Sequence, residues 1–477
     1  MDVIVVGAGP TGLMLARELR LAGVRATVLE KSATRSIQSK AGGLHSRTAE
    51  VFRMRGLLEE TAARAQEREQ TGGHFAALPV PLDFAALDTR SPYVVATTQG
   101  DVEDILERGL AVEREREVVG ISQDADRVRV RVVGPEGPYE LTASYLVACD
   151  GGHSTVRKLL EVPFPGRAGQ SSMVLADVLV DGDGVPTVRD HFSRHVKHST
   201  QRAAILSPLP GGFHRLMFGG PEQRGKTRTD EVTADEVRAV LADVYGPDVR
   251  LRSVRAASRF SDASRQVESY RVGQVFLAGD AAHVHLPTGG QGMNLGLQDA
   301  FNLGWKLAAA VRGDVDLLDT YHAERHPVGA RVLLNTRAQG SIMDFRDLNT
   351  AAMRTLLTEW LAVPELNRKV AAMISGLDIR YDLGSDHPLV GARMPDRLLE
   401  TADGSEWFSS LAVDGRGVLI DFGGRTHDGW GDRVRLVNAK PHEDFDAAAV
   451  LVRPDGHVAW LGDDPTAALT HWFGAAR

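Results

Sequence analysis

The stretch VIVVGAGPTG, from Val3 to Gly12, decides the fold of this 477-residue chain. Its four leading apolar residues predict a buried strand. The three glycines at G-x-G-x-x-G spacing predict a tight turn into a helix over Leu13 to Ala22, which Gly23 stops. A second strand, Ala26 to Leu29, ends at acidic Glu30. This order predicts a Rossmann-like α/β domain, and it is the context in which the glycine pattern binds dinucleotides.

Each residue type in this turn has a chemical reason to be there. Gly7, Gly9 and Gly12 allow a sharp turn and a close approach of the backbone to a pyrophosphate, which sits on the positive N-terminus of the helix. Glu30 is placed to accept hydrogen bonds from a ribose. A glycine-rich turn without a ligand is the alternative, and the complete βαβ context disfavours it.

Composition and charge exclude several classes of protein. Apolar residues make up 43% and charged residues 25% of the chain, which is ordinary for a folded globular protein. The net charge is −8 and no dense run of Lys or Arg occurs, so the sequence offers no cluster of positive charge that would bind the phosphates of nucleic acid. Cys149 is the only cysteine, and the sequence shows neither a signal-peptide core before Gly7 nor an apolar run of about 18 residues. We therefore expect a cytoplasmic protein that binds neither nucleic acid nor membrane.

Two further apolar strands end in polar, glycine-containing segments. Tyr145 to Cys149 leads into Asp150-Gly151, which suits a ligand at the end of a parallel strand and equally a plain Asp-Gly turn. Val275 to Ala278 leads into Gly279-Asp280, and a glycine-rich segment then opens a helix predicted over Met293 to Val311 with one buried apolar face. A carboxylate at a strand end suits the hydroxyls of a polyol chain, and free amides at a helix start suit an electron-rich ring. This combination is typical of a flavin site.

The chain contains a single G-x-G-x-x-G pattern. An enzyme that holds both FAD and NAD(P)H on Rossmann-type sites would usually show two, so one nucleotide should be held tightly. Its far end needs a second binding strand, and Gly279-Asp280 supplies one about 270 residues after the first turn. The arrangement fits FAD better than NAD.

Changes of pattern along the chain predict three domains. Residues 1–165 with 272–385 form a discontinuous FAD-binding domain. Residues 166–271, with about 70–98, form a largely antiparallel substrate-binding domain that includes one capped helix from Thr233 to Tyr245. Residues 386–477 form a small separate α/β domain.

These motifs resemble those of the class A FAD-dependent aromatic hydroxylases, particularly the hydroxylases of polycyclic aromatic polyketides such as the angucyclines. The matching segments are Gly7-x-Gly9-Pro10-Thr11-Gly12 with Glu30, Asp150-Gly151-x-x-Ser154-x-Val156-Arg157, Gly279-Asp280-Ala281-Ala282-His283 and Pro287-x-Gly289-Gly290-Gln291-Gly292-Met293-Asn294. The resemblance covers essentially the whole chain. It implies a p-hydroxybenzoate hydroxylase-like fold with a C-terminal thioredoxin-like domain. That domain lacks a C-x-x-C pair here, so we expect it to have a structural or assembly role.

The resemblance also implies a reaction. NAD(P)H, bound transiently, reduces tightly bound FAD, O2 adds to form a C4a-hydroperoxide, and its distal oxygen attacks an electron-rich ring of a polycyclic aromatic substrate. The expected FAD contacts are Gly7, Gly9, Pro10, Thr11, Gly12, Glu30, Lys31, Arg47, Gln99, Asp150, Arg157, Gly279, Asp280, Pro287, Gly289, Gly290, Gln291, Gly292, Met293 and Asn294. No catalytic side chain and no metal site is predicted. A homodimer and the choice between NADH and NADPH stay open.

Two segments depart from the family pattern. Lys40 stands where related sequences commonly carry Arg, so contacts near the flavin entrance should differ. The segment from Gln99 to Val118 is short and predicts no full helix between Asp101 and Glu113, which puts the Gln99 contact in doubt.

Some further side chains have a functional and a plain interpretation. His191, His195 and His198 have a spacing that suits a metal, but we interpret them as surface residues because a flavin already supplies the oxygen chemistry. Four apolar residues are more typical of core than of an aromatic pocket: Phe75, Phe192, Met217 and Phe218.

Other activities fit the same sequence. Within the class they are inactivation of a rifamycin-type antibiotic and Baeyer–Villiger oxygen insertion. From other classes they are a flavin reductase that never activates oxygen and a non-catalytic ligand carrier, because one fold hosts many functions.

Overall fold

The first strand of the chain lies near the centre of a six-stranded sheet to which distant segments contribute. The computed structural model describes residues 1–36, 41–65, 73–169, 172–187, 190, 192–343 and 347–477. Up to residue 165, its elements are β1 (Val3–Val6), α1 (Pro10–Leu21), β2 (Ala26–Glu30), α2 (Ser46–Arg53), α3 (Leu58–Ala63), α4 (Gln99–Glu107), β3 (Val112–Arg114), β4 (Glu117–Gln123), β5 (Val128–Gly134), β6 (Gly137–Ala143), β7 (Tyr145–Ala148) and α5 (Thr155–Leu159). The predicted strand, turn, helix and strand at the N-terminus are confirmed.

An antiparallel sheet is inserted after residue 165. Its segment contains β8 (Gly166–Arg167), β9 (Ser172–Asp181), α6 (Phe192–His195), β10 (Val196–His198), β11 (Ala203–Pro208), β12 (His214–Gly219), α7 (Ala234–Tyr245), β13 (Arg250–Ser261) and β14 (Ser264–Gln266). Five of these strands pair antiparallel in the order β10-β11-β12-β9-β13. Helix α7 begins after Thr233, whose hydroxyl accepts the Glu236 amide, and it covers one face of the sheet. The other face stays open to a cavity.

The chain then returns to the first sheet. The elements are β15 (Arg271–Val272), β16 (Val275–Leu277), β17 (His283–Val284), α8 (Gln291–Arg312), α9 (Leu318–Ser341), α10 (Leu348–Leu361) and α11 (Pro364–Ser375). The strand order is β15-β16-β7-β1-β2-β3, and all but β15 run parallel. The carboxyl ends of β1, β7 and β16 therefore lie side by side, which brings the three sequence motifs to one edge.

Helix α8 is buried almost all round, beyond the single apolar face that the sequence predicts. Its buried positions include the polar Asp299, Asn302 and Lys306 as well as Leu297 and Phe301. Helices α1 and α9 pack against it, and Asp455 of the C-terminal domain accepts a hydrogen bond from its Asn302. Despite this burial, none of the helices in the described part of the chain is long and apolar enough to cross a bilayer.

A full helix, α4, forms where the sequence argument expected none. The hydroxyl of Thr98 accepts the Asp101 amide at 3.1 Å and so caps the helix start. The side chains of Val102 and Ile105 are fully buried, and α4 packs against α1. Gly109, with φ of +70°, then reverses the chain. The expectation was wrong because the spacing argument assumed a longer helix. A short helix forms here because its start is capped and one face is buried.

The C-terminal domain is a mixed α/β unit. Its elements are β18 (Leu398–Thr401), β19 (Gly404–Trp407), α12 (Phe408–Leu411), β20 (Gly417–Asp421), β21 (Val434–Asn438), β22 (Ala449–Val452), β23 (Val458–Gly462) and α13 (Thr466–Phe473). The sheet order is β21-β20-β22-β23, with β20 and β21 parallel and the other pairs antiparallel. Trp305 of α8 packs into the core of this domain.

A buried charge network joins the C-terminal domain to α8 and α9. Arg453 donates to both carboxylate oxygens of Glu324, at 2.7 and 2.8 Å, and Lys306 donates to the same carboxylate at 2.8 Å. Asn302 bridges Glu324 and Asp455 at 2.6 and 3.1 Å. The charged side chains are all at most 4% exposed. Charges removed from water need partners, so this network fixes how the two domains meet.

Replacing Glu324 with Gln should destabilise the protein by about 3 kcal/mol, because Arg453 and Lys306 would lose their shared counter-charge. Burial alone would raise the pKa of Glu324, but Arg453 and Lys306 lower it from 4.5 to about 2. Its contribution is therefore complete above pH 4.5 and is lost as the pH falls toward 2. The difference in thermal unfolding midpoint between wild type and Glu324→Gln should be large at pH 7 and shrink below pH 4.5.

Glu400→Gln is the matched control, because Glu400 forms an exposed pair with Lys440. Its midpoint should stay close to that of the wild type at every pH. Equal midpoints for the Glu324 and Glu400 variants would contradict a stabilising role of the network.

Candidate functional site

One large cavity lies between the carboxyl end of the parallel sheet and the open face of the antiparallel sheet. Its volume is about 1980 Å³, whereas sites for one small ligand usually measure about 300–1,000 Å³. The predicted site residues that line it are Gly9, Pro10, Thr11, Gln99, Arg157, Asp280, Pro287, Gly289, Gly290, Gly292 and Met293. Residues from all three motifs thus face a single space with room for more than one small molecule.

Helix α1 starts at the cavity wall with unsatisfied amides. Gly9 is its N-cap residue and forms no side-chain cap, and Pro10 follows. The space where a Cβ on Gly9 would lie is open, whereas one on Gly7 would collide with the Cys149 carbonyl and one on Gly12 with the Gly7 carbonyl. Gly7 and Gly12 are therefore required by packing, and Gly9 leaves room for a ligand at the helix start.

Glu30 is held rigidly at the end of β2. Its Oε2 accepts a hydrogen bond from the Ala8 amide at 2.9 Å, and its Oε1 accepts one from the Ser32 amide at 2.8 Å. Neither Glu30 nor the exposed Lys31 is among the described residues that line the cavity. Their contacts with a nucleotide stay a prediction.

The Asp150 segment fastens the second motif to the third. Asp150 Oδ2 accepts the Thr155 and Val156 amides at 2.7 and 3.1 Å, while its buried Oδ1 has no partner among the described residues. Arg157 donates to the carbonyls of Gly152 and Ala281, each at 2.8 Å. Its guanidinium therefore ties the second strand end to the turn after β16.

Gly279 forms a turn that only glycine fits. Its φ is +58°, and an added Cβ would lie 2.7 Å from Thr11 Oγ1. The Gly279 amide donates to Asp299 Oδ2 at 3.1 Å, and His283 contacts the same oxygen at 2.7 Å. Burial alone would raise the pKa of Asp299, but Arg325 and His283 lower it. The adjacent Asp280 carboxylate is exposed to the cavity.

Helix α8 begins at the cavity with a second uncapped N-terminus. Gly289 and Gly290 have φ of +75° and +67°, and Gly290 provides no side-chain cap. The first amides of this 22-residue helix are free for a ligand. Gln291 and Asn294 turn away from the main cavity. Gln291 Oε1 accepts a hydrogen bond from Asn335 Nδ2 at 2.7 Å, and Asn294 Oδ1 accepts one from the His45 amide at 2.9 Å.

Gln99 and Arg47 have different positions. Gln99 lines the cavity at the start of α4, and its Nε2 donates to Glu103 at 2.8 Å. Arg47 is 3% exposed, is not among the described lining residues, and donates to Glu50 at 3.1 Å and to the Asp455 carbonyl at 2.8 Å. The expected contact of Arg47 with FAD stays a prediction, and this geometry favours a role at the domain interface.

The donor set fits FAD. Two uncapped helix starts suit a pyrophosphate and an electron-rich ring edge, the open space at Gly9 suits a close approach, and Asp280 suits a polyol chain. Asp150 Oδ1, which has no partner in the described part of the chain, adds an acceptor near the same strand ends.

The only cysteine of the chain, Cys149, lies beside this set. It is a free thiol, 8% exposed, and directly follows β7, the strand that lies beside β1 in the parallel sheet. Burial raises the pKa of its thiol. It is therefore protonated at neutral pH.

The antiparallel sheet forms the opposite wall. Phe192 and Met217 line the cavity, and the Phe192 ring stacks on His74 with centroids 3.8 Å apart. Phe218 is in the core beneath the sheet, as expected, and Phe75 packs with the cluster of α10 and α11. The core interpretation is therefore wrong for both: Met217 points to the cavity face of β12, opposite to its neighbour Phe218, and Phe192 faces the cavity from the start of α6.

Two further candidates lie partly outside the described residues. Lys40 and His191 are in the segments that the structure does not describe. His195 is 8% exposed and contacts Ser207 Oγ at 3.2 Å and the Thr187 carbonyl at 3.3 Å. Its interpretation as a surface residue is wrong, because α6 turns it toward the cavity.

Sequence reasoning missed several site residues. Asp299 orients the Gly279 turn, and a carboxylate within an apolar helix was the available signal. His45 lines the cavity beside Gly42 and Gly43, whose adjacent glycines were also a signal. Arg215 and Arg255 line the cavity as well, but charged residues on strands give no such signal because they usually face solvent.

Comparison with known proteins supports the assignment. A family model described as FAD binding domain matches residues 1–336, and one described as aromatic-ring hydroxylase, C-terminal, matches residues 387–476. The 12-dehydrotetracycline 5-monooxygenase/anhydrotetracycline 6-monooxygenase of Streptomyces rimosus is 46% identical over 501 residues, with 99% of each chain covered. Rifampicin monooxygenase of Streptomyces venezuelae is 46% identical over 489 residues, which cover 100% of this chain and 99% of that one.

Solved structures agree. The anhydrotetracycline hydroxylase OxyS from Streptomyces rimosus superposes with a TM-score of 0.91 at 44% identity, covering 100% of this chain and 99% of that one. CabE, an aromatic hydroxylase from angucycline biosynthesis, superposes with a TM-score of 0.89 at 42% identity and the same coverage. The fold and the site thus define a flavoprotein of the p-hydroxybenzoate hydroxylase-like class. Within it, the chain belongs to the family of FAD-binding aromatic-ring hydroxylases, and the expectations of fold class, FAD binding and monooxygenase activity are confirmed.

Gly9→Ala should fold normally and bind FAD roughly ten-fold more weakly or worse, because its methyl group fills the space beside the helix start. Gly9 has φ of −78°, which alanine adopts without strain. A fluorescence titration of the apoprotein with FAD measures the Kd. Gly431→Ala, another site with open space around the Cβ, is the control and should leave the Kd unchanged. The same Kd for both variants would argue against pyrophosphate binding at α1.

Proposed function

We propose that this protein hydroxylates a polycyclic aromatic polyketide, using FAD, NAD(P)H and O2. The observation that carries the proposal is the single cavity that joins two uncapped helix starts to the open face of the antiparallel sheet. One part of this space fits a flavin nucleotide, and the remaining part borders an apolar wall. The names of the anhydrotetracycline and angucycline relatives support a multi-ring aromatic substrate.

The chain's own task in such a reaction is placement. When bound, FAD supplies electrons taken from NAD(P)H and activates O2. The amides of Gly9 and Thr11 would hold the pyrophosphate, because Pro10 between them has no N–H, and Asp280 would accept hydrogen bonds from the polyol hydroxyls. The free amides after Gly290 would stabilise negative charge at the edge of the ring system, because the helix start is positive.

The antiparallel sheet would position the substrate. Leu175, Ile205 and Met217 line the cavity from β9, β11 and β12. Adjacent strands thereby offer a broad apolar surface, and the stacked rings of Phe192 and His74 add a flat face. Flat multi-ring molecules bury large apolar areas against such walls, and their burial excludes water from the reacting atoms.

Other features of the proposal concern the whole chain. We infer that NAD(P)H binds only transiently, because the sequence contains a single dinucleotide fingerprint. We also infer the three-domain division at residues 165/166, 271/272 and 385/386, with about 70–98 belonging to the middle domain. The C-terminal domain then acts by packing on α8 rather than by thiol chemistry. A cytoplasmic location follows the same reasoning as the expectation from the sequence.

A second candidate function is the oxidation of a rifamycin-type antibiotic. It is favoured by the Streptomyces venezuelae relative, whose identity of 46% equals that of the tetracycline relative. Baeyer–Villiger insertion would use the same cofactors and the same cavity. The three activities would share one site and differ in their substrates or products.

Purified FAD-loaded protein should transfer one atom of ¹⁸O2 to an aromatic polyketide while it oxidises NADPH or NADH. The assay offers anhydrotetracycline, an angucyclinone and rifampicin separately, and mass spectrometry locates the label. A labelled hydroxyl group on a polyketide supports the proposal, and labelled rifampicin alone supports the second candidate. The Gly9→Ala protein, assayed without added FAD, serves as the control.

Two results would overturn oxygenation altogether. Reduction of a substrate without incorporation of label would identify a flavin reductase. Tight ligand binding with no NAD(P)H oxidation would identify a ligand carrier.

A further inference from the structure

We propose that Arg215 and Arg255, which share the buried carboxylate of Asp177, form an anion-binding subsite that selects the ionised form of a hydroxylated aromatic substrate. This inference rests on the proposed function, because it assigns a chemical form to the substrate of that same cavity. The two arginines lie on β12 and β13, the two strands that flank β9 in the sheet.

The three side chains form one connected group. Arg215 stands directly opposite Asp177 in the sheet, and its Nε and Nη2 donate to the two carboxylate oxygens at 3.1 and 3.4 Å. Arg255 donates from Nη2 to Asp177 Oδ2 at 3.2 Å and lies over the Phe213 ring at 4.3 Å. Both arginines line the cavity, whereas Asp177 is fully buried behind them.

The group therefore carries one positive charge more than is needed to neutralise the Asp177 carboxylate. A single arginine would satisfy the buried carboxylate, and the second leaves a net charge of +1 at the cavity surface. The side chain of Arg255 is 37% exposed and that of Arg215 is 9% exposed, so Arg255 has the freer donors. An anion in the cavity could accept hydrogen bonds from them without displacing Asp177.

A β-bulge directs Arg255 to this position. The register of β13 against β9 shifts between Val254 and Ala256, which pair with Val178 and Asp177. Arg255 is the extra residue of the bulge. Bulges commonly redirect a side chain next to a functional site. The second arginine is thus placed by an irregularity that the pairing of the sheet does not require.

The remaining charges of the described cavity wall do not reverse this excess. The other cations are Arg157, Lys158, Lys226, Arg228, Arg259 and Arg265. The acids are Asp190, Asp230, Glu231 and Asp280. Two histidines lie beside Arg215: His195 contacts Ser207, which pairs with Arg215 in the sheet, and His214 precedes Arg215 and has a pKa lowered by burial.

The charge suits the chemistry of the substrate class. Phenolic and enolic hydroxyl groups of multi-ring polyketides ionise by releasing a proton to the solvent, and the resulting anion is a more electron-rich target for an electrophilic oxygen. A positive charge within about 4–6 Å favours the anion and lowers the pKa of the bound hydroxyl by about one unit or more. Arg215 and Arg255 would thus select the reactive form as well as orient it.

Alizarin, a dihydroxyanthraquinone, is a suitable probe because its ionised form absorbs at longer wavelength than oxidised flavin. Titration of alizarin bound to the FAD-loaded protein should give a pKa at least one unit below that of free alizarin. Arg255→Met should abolish most of this shift and weaken binding of the anion, while Arg255→Lys, which retains the charge, should keep most of it.

Arg252→Met is the matched control. Arg252 lies on the same strand, pairs with Asp181 at 2.6 Å and is not among the described residues of the cavity wall. It should leave the pKa of bound alizarin unchanged. FAD content and thermal midpoint confirm that each variant is folded, and Arg255→Gln replaces Arg255→Met if the latter does not fold.

Three results would overturn the subsite. They are an unchanged pKa of alizarin on the wild-type protein, an equal shift in the Arg255→Met and Arg252→Met proteins, and no binding of alizarin at all. The titration needs neither NAD(P)H nor O2. A shifted pKa together with a failed ¹⁸O2 assay would therefore retain the subsite and remove only the proposed reaction, and the converse pair of results would do the opposite.

Discussion

Thr11 occupies a space that exists only because residues 279 and 296 carry no side chain. A Cβ on Gly279 would lie 2.7 Å from Thr11 Oγ1, and one on Gly296 would collide with the same atom. This close approach presses the start of α1 against the turn after β16 and the first part of α8. The contact holds the two uncapped helix starts at the edge of one cavity, so the geometry of the candidate cofactor site depends on it.

The same turn is connected to the C-terminal domain through buried hydrogen bonds and one ring contact. Asp299, which accepts the Gly279 amide, also accepts Arg325 Nε at 2.8 Å, and Arg325 reaches the Tyr381 hydroxyl at 3.2 Å. The Tyr381 ring packs on His457 with centroids 4.3 Å apart. Buried contacts of this kind resist rearrangement, so they couple the C-terminal domain to the turn at the edge of the cavity.

The sequence predicted the features that depend on local patterns. The turn at Gly7 to Gly12, the cap at Thr233 and the strands that end at Asp150 and Gly279 all follow from periodicity and glycine spacing. The polar side of α8, the burial of Arg47 against Asp455 and the pairing of Arg215 and Arg255 with Asp177 did not follow. Each of these depends on a partner from a distant segment, and single-sequence patterns carry no information about which segments meet.

The buried thiol of Cys149 has a consequence for durability. Peroxides attack the thiolate form of cysteine, and the pKa of this group is raised by burial at the strand end. An oxygen-using flavoprotein exposes its own interior to any partly reduced oxygen that escapes the reaction. Because its one thiol stays protonated at neutral pH, the chain offers such oxidants little of the reactive thiolate at the end of β7.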